Sequence, residues 1–266
     1  MTSLENRVAV VTGASSGMGR AIAATLAARG ASVLCADLKK TANSGGYERD
    51  ADIDTDDLIV AQGGNASFVR MDVAEPASVE AGIATAVQRY GRLDIMINNA
   101  GIFTGPATAI DQPVDHWDLT MTVNARGVFL GCKYALAQMM AQESSETGPR
   151  GRIVNIASVA AVSGLHQEPA YCASKGAVLA LTRQLAVDFG PHRIGVNAIM
   201  PGVVRTSMTS MLLEDEAAVA AVRQANTYPR FAEAADIAAA AAYLASDEAE
   251  YINGAGLPID GGFLAF

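Results

Sequence analysis

The sequence predicts a doubly wound α/β fold, with seven parallel strands in one sheet and helices on both faces. Three observations carry that prediction. Short apolar runs of strand length alternate with helical patterns along the chain, as successive strand–helix–strand crossovers require. The first apolar run leads directly into a glycine-rich turn and then a helix. Late in the chain, Tyr171 and Lys175 stand four residues apart at the start of a helical segment.

Arg7-Val8-Ala9-Val10-Val11 reads as a buried parallel strand. It runs into Thr12-Gly13-Ala14-Ser15-Ser16-Gly17-Met18-Gly19, after which Arg20 to Arg29 is a helical pattern closed by Gly30. Strand, glycine turn and helix in that order give the setting of a Rossmann dinucleotide-binding turn. The glycines let the backbone approach a pyrophosphate, whose charge meets the positive end of the helix. The spacing is T-G-x-x-x-G-x-G, where the usual fingerprint is G-x-G-x-x-G. Ala31 to Ala36 is the second strand and ends at Asp37. An acid there accepts from the adenosine ribose hydroxyls and repels the extra phosphate of NADP, so NAD is the expected cofactor. Ser16 brings no positive charge for that phosphate; Lys39 and Lys40 lie close by and offer partial compensation.

Thr41 to Asn65 is the least regular stretch, with a turn-forming Asn43-Ser44-Gly45-Gly46 and a run of aspartates from Asp50 to Asp57. The alternation approaches a calcium loop, but its sixth position is Thr55 instead of Gly and its twelfth is Ala61 instead of Glu. A solvated acidic loop entering a short helix is expected, and no metal site. Ser67 to Met71 is the third strand, followed by Asp72, placed to accept from an adenine amino group, and Val73. Pro76 to Tyr90 is a helix with proline in its first turn. Leu93 to Ile97 is the fourth strand, entering Asn98-Asn99-Ala100-Gly101, which either lets a ligand approach the backbone or ties neighbouring strands together. Val114 to Met140 has a long helical pattern with Asn124 inside it, a poor helix former that binds a water or distorts the helix. Gly151 to Ile156 is the fifth strand, with Ser158 at its carboxyl end, where open α/β sheets bind ligands.

On a helix, Tyr171 and Lys175 share one face. An ammonium beside a phenol favours the phenolate, making the pair an acid/base unit for an alcohol proton. Arg193 to Ile199 is the sixth strand, ending in Met200-Pro201-Gly202-Val203-Val204-Arg205-Thr206. Met208 to Ala225 reads as a helical lid, Asp236 to Leu244 as a further helix, and Leu257 to Gly262 as the last strand and its turn.

From about Val8 to Gly262 the chain resembles the short-chain dehydrogenase/reductase family. The resemblance rests on the glycine turn, Asp72, Asn98 to Gly101, Asn124, Ser158, Tyr171-x-x-x-Lys175 and Pro201-Gly202. It implies that Tyr171 is the acid/base and that Lys175 lowers its pKa and binds the nicotinamide ribose. Ser158 would bind the substrate oxygen, and Asn124 would hold a relay water. It implies cofactor contacts at Gly13, Ser15, Ser16, Gly17, Met18 and Gly19, at Asp37, Asp72 and Val73, and at Asn99, Ala100 and Gly101. Further contacts fall at Pro201, Gly202 and Val204, and at Thr206 on the carboxamide. A homotetramer is also implied, packed through the Val114–Met140 and Tyr171–Gly190 helices, with the apolar tail Phe263 to Phe266 at an interface. The chain is longer than most relatives between Asp37 and Asp72; an ordinary surface loop insertion is expected, the alternative being that, as in members resembling carveol dehydrogenases, it folds over the adenosine end and retains NAD.

Composition agrees with one globular domain over residues 1–266. Half of the residues are hydrophobic, and a net charge of −9 argues against nucleic acid and anionic membranes as partners. There is no unbroken apolar stretch of about 18 residues and no apolar leader at the N-terminus. Three scattered cysteines suit a reducing cytoplasm. The expected activity is NAD-dependent interconversion of a secondary alcohol and its ketone. The alternatives are an NADPH-dependent ketoreductase of 3-oxoacyl type and a dinucleotide binder without turnover. A halohydrin-dehalogenase-like lyase would lose the glycine turn and carry arginine for Lys175, which this chain does not. The substrate pocket falls to Ile102-Phe103, Val159 to Pro169 and the lid, whose Val162, Leu165, Met208, Met211 and Leu212 make it apolar, with His166 and Gln167 beside them.

Overall fold

The computed structural model describes residues 3–143 and 148–265. Seven strands form one sheet: β1 Val8–Thr12, β2 Ser32–Asp37, β3 Asn65–Arg70, β4 Ile95–Asn98, β5 Gly151–Ile156, β6 Ile194–Pro201 and β7 Gly256–Ile259. All pairings are parallel, in the order β3-β2-β1-β4-β5-β6-β7. The order reverses between β1 and β4, and there the two crossover sets part and open a crevice at the carboxyl ends of the strands.

Alternation along β1 shows why the central strands are apolar throughout. Ala9 and Val11 pack towards helices α1 (Gly17–Ala28) and α9 (Ala234–Leu244), against Ile22, Leu26, Ile237 and Ala241. Val8 and Val10 face the opposite layer of α3 (Pro76–Tyr90), α5 (Gly127–Ala141) and α6 (Pro169–Phe189), against Val79, Ile83, Leu136 and Val178. Each of the valine, leucine and isoleucine side chains, fully buried, contributes about 1.5–3 kcal/mol.

The acidic stretch does enter a short helix, α2 (Thr55–Ala61). The pattern from Val114 to Met140 is not one regular helix. It divides into α4 (Val114–Met121), a π-helical turn at Thr122–Arg126 and α5, with fully buried Asn124 inside the π turn. A π turn takes up one extra residue and commonly marks a functional position. The lid is likewise divided, into a 3₁₀ turn at Ser207–Thr209, α7 (Ser210–Glu214) and α8 (Glu216–Ala225).

Candidate active site

The turn between β1 and α1 is shaped by positions that exclude side chains. A Cβ on Gly19 would lie 1.9 Å from the carbonyl oxygen of Gly13, so no other residue fits there. Gly13 and Gly17 have φ of 65° and 56°, in the left-handed region. From below, Asn99 donates from Nδ2 to the carbonyls of Thr12 (2.9 Å) and Gly13 (3.2 Å). Thr12 Oγ1 accepts from the backbone N–H groups of Asn99 and Ala100. The Asn98–Gly101 segment therefore ties strands together, at the edge of the crevice. Asn99 Oδ1 is buried without a partner, and this acceptor lies beside the bare backbone of the turn. The cradle fits a dinucleotide.

Asp37, at the end of β2, lies beside the turn. Its carboxylate accepts from the N–H of Ser15 (3.0 Å) and of Leu38 (2.7 Å), and Ser15 Oγ donates to Lys39 O. Lys40 is engaged elsewhere, with Nζ 2.8 Å from Asp57, 3.3 Å from Asp56 and 3.7 Å from Asp54. The hydrogen bond that Lys40 donates to Asp57 leads the causes that raise the Lys40 pKa. Asp72 accepts from Ala74 N at 2.9 Å, and Val73 packs beneath α5, where a Cβ on Gly127 would be 3.0 Å away. Across the crevice, Pro201 ends β6 and Gly202 lies against Asp260. Val204 bridges to Ala232, and Thr206 reaches the glycine turn, its Cγ2 3.3 Å from where a Gly17 Cβ would stand. Met18 packs on the α1–α9 core.

The insertion lies against this turn. Asn43 Nδ2 donates to Ser16 Oγ at 3.0 Å, and Arg20 holds the carbonyls of Asp50 (2.6 Å) and Ile53 (2.7 Å). The Arg205 guanidinium stacks 4.6 Å from the centre of the Tyr47 ring. Gly17 N–H, among the first donors of α1, gives its hydrogen bond to Glu48, whose second oxygen is buried and unpartnered. Sequence reasoning missed Glu48 and Tyr47. Their partners lie 31 and 158 residues away in the chain, and the unusual length of the segment was the one available sign.

At the carboxyl end of β5, Ser158, Tyr171 and Lys175 come together. Ser158 caps a 3₁₀ turn at Val159–Ala161 and accepts from Ala160 N at 3.1 Å. Lys175 is 4% exposed, donates from Nζ to Ile156 O at 2.8 Å, and sits 5.6 Å from the centre of the Tyr171 ring. Burial pulls the Lys175 ammonium down to about 8. Tyr171 keeps partial exposure at the mouth. The wall around its hydroxyl nevertheless pushes the phenol up to about 12, with Ser158 pulling the other way. Phe103 meets the Tyr171 ring edge-on, centroids 5.8 Å apart at 84°.

Asn124 reaches this group through its side chain. Oδ1 accepts from Ile102 N (2.8 Å), while Nδ2 donates to Ile102 O (2.9 Å) and Ser174 Oγ (3.3 Å). The amide thus pins the residue before Phe103 to the helix carrying Tyr171. Among the expected pocket residues, Val162, Met208 and Met211 are exposed, and Gln167 has a φ of 60° with its carbonyl bound to Ala107 N.

A family model described as enoyl-(acyl carrier protein) reductase matches residues 13–264. A 2-(R)-hydroxypropyl-CoM dehydrogenase of Xanthobacter autotrophicus is 38% identical over 267 residues, covering 98% of this chain and 99% of its own. A D-threitol dehydrogenase of Mycolicibacterium smegmatis is 40% identical over 263 residues, covering 98% and 94%. Among solved structures, a candidate 2-deoxy-D-gluconate 3-dehydrogenase of Agrobacterium tumefaciens with bound NADP superposes with a TM-score of 0.86. It is 37% identical, with 99% of this chain and 98% of the other covered.

Proposed function

This chain belongs to the short-chain dehydrogenase/reductase family, and from that premise we propose that it is an NAD-dependent oxidoreductase interconverting a secondary alcohol and its ketone. The observation that carries the reading is the meeting of Ser158, Tyr171 and Lys175 at the carboxyl end of β5, facing the glycine cradle. NAD, when bound, supplies the hydride acceptor. Ser158 Oγ orients the substrate oxygen and stabilises its charge. Tyr171 takes the hydroxyl proton in oxidation and returns it in reduction. Burial holds the Tyr171 phenol near 12 in the protein alone, with Ser158 as the group that lowers it; the further lowering that catalysis needs is assigned to the Lys175 cation with the dinucleotide in place. Lys175 also offers its N–H groups to the nicotinamide ribose.

Because the Asn124 amide is engaged at Ile102, a relay water from Lys175 would be held by main-chain carbonyls that the π turn displaces from helical partners. Asp37 binds the adenosine ribose hydroxyls. NAD is favoured because a carboxylate at Asp37 would repel the extra phosphate of NADP, and Lys40 is taken up by three aspartates. The NADP-bound structural neighbour favours a second reading, NADPH-dependent ketone reduction, with exposed Lys39 as the available cation.

Nicotinamide absorbance with NAD and NADP, against secondary alcohols that include D-threitol and 2-hydroxypropyl-CoM, tests both. Turnover with NAD that disappears in Tyr171→Phe is expected. A preference for NADP would overturn the role of Asp37, and undiminished turnover in Tyr171→Phe would overturn the mechanism.

A further inference from the structure

The amino ends of the strands, at the opposite side of the sheet from Tyr171, border an open cavity of about 310 Å³. Its wall includes Arg152 at the start of β5, Arg193 and Gly195 at the start of β6, and Glu250 and Tyr251 from the segment before β7. Arg152 is 4% exposed, yet its Nε and Nη2 have no hydrogen-bond partner. The side chain lies over Gly195, where a Cβ would stand 2.6 Å from Nη1. A side chain at 195 would push the guanidinium aside.

A guanidinium buried with unpartnered donors is costly; burial lowers the pKa of this one, with the charges of Asp247 and Glu250 pulling the other way. The carboxylates nearby do not satisfy it. Asp94 and Asp247 are both within ion-pair reach of Arg7, and Asp94 also pairs with Arg92. Glu250 is exposed on the rim; its N–H donates to Asp247 O at 3.0 Å, and its carboxylate acts on Arg152 through its charge without a hydrogen bond to the guanidinium. Nε and Nη2 are the side-by-side pair of donors that a carboxylate or phosphate accepts from bidentately. We propose that this cavity is a binding site for a small oxyanion, a phosphate or carboxylate group, anchored by Arg152. The net charge of −9 disfavours anions over the surface as a whole. Binding is therefore local to Arg152 and saturable.

The test titrates the purified protein with inorganic phosphate, and separately with acetate, at ionic strength held constant with sodium chloride, read by calorimetry and by melting temperature. One phosphate or acetate per chain is expected, with a raised melting temperature. The tighter of the two names the group. Arg152→Met weakens binding about tenfold or more, the loss expected for a charge-assisted hydrogen bond. Arg152→Lys, which keeps the charge if the methionine variant fails to fold, weakens it by less. Glu250→Gln tightens it by removing a competing carboxylate. The glycine turn is a second place for phosphate, and dependence on Arg152 separates the two. No saturable binding to the wild type, binding unchanged in both Arg152 variants, or weaker binding in Glu250→Gln would each overturn the proposal.

Discussion

Lys175 holds an ammonium where almost no water reaches it, with Ile156 O as its acceptor. Its pKa of about 8 in the fold lies below the ordinary 10.5, so the folded chain sheds this proton before the unfolded chain does. The contribution to stability is present in full above 10.5 and is lost as pH falls to about 8. In the protein without dinucleotide, wild-type stability should therefore gain on Lys175→Met by on the order of 3 kcal/mol between those limits. Denaturant melts at pH 8 and 10.5 measure the gap, and a constant gap would show that the ammonium is not held this way. Tyr171 is the complementary case. Tyr171→Phe should lower turnover by at least about 100-fold while leaving dinucleotide affinity within a few-fold, since the lost group is a single hydroxyl.

At the scale of elements, the π turn lets the Asn124 amide reach both polar groups of Ile102. Asn124→Ala orphans two backbone groups at a partly buried site, at about 1–3 kcal/mol each. A lower thermal midpoint and faster amide exchange at Ile102 are expected; unchanged exchange would mean that the loop holds its place without the clamp. The insertion is the second such element. Asn43, Tyr47 and Glu48 tie it to Ser16, Arg205 and Gly17, across the mouth of the glycine cradle. Replacing residues 43–48 with a short glycine–serine link should speed dinucleotide release by about tenfold, the kinetic weight of roughly 1.4 kcal/mol of lost closure. Stopped-flow nicotinamide fluorescence reads the rate, and an unchanged rate would leave the insertion without a part in retention.

For the whole molecule, apolar side chains remain in water on the helices expected to meet other subunits. Phe129 on α5 is 47% exposed and Val187 on α6 is 73% exposed. We expect a tetramer in solution, and the pair Phe129→Glu and Val187→Glu should shift the mass from light scattering to a smaller species. An unchanged mass would move the interface elsewhere. The apolar tail does not present itself whole for such contacts. Leu264 packs on the chain's own core and its N–H binds Asp260, while Phe266 lies outside the described residues.

The sequence by itself determined the strand–helix alternation, the glycine turn and the Tyr171–Lys175 pair. Each of these is set by neighbours within a few residues: strand or helix period, backbone freedom at glycine, and one helical turn between two side chains. Pro76–Tyr90 and Gly151–Ile156 were legible to the residue for that reason. Only the tertiary structure decided where side chains meet across long separations. The Asn124 amide is spent on Ile102, 22 residues away, and Glu48 reaches the first turn of α1 from 31 residues away. The break in the helix at Thr122 follows the same rule. Asn124 is a poor helix former, so the sequence allowed either a bound water or a distortion there; burying its amide against the loop after β4 is what sets the π turn.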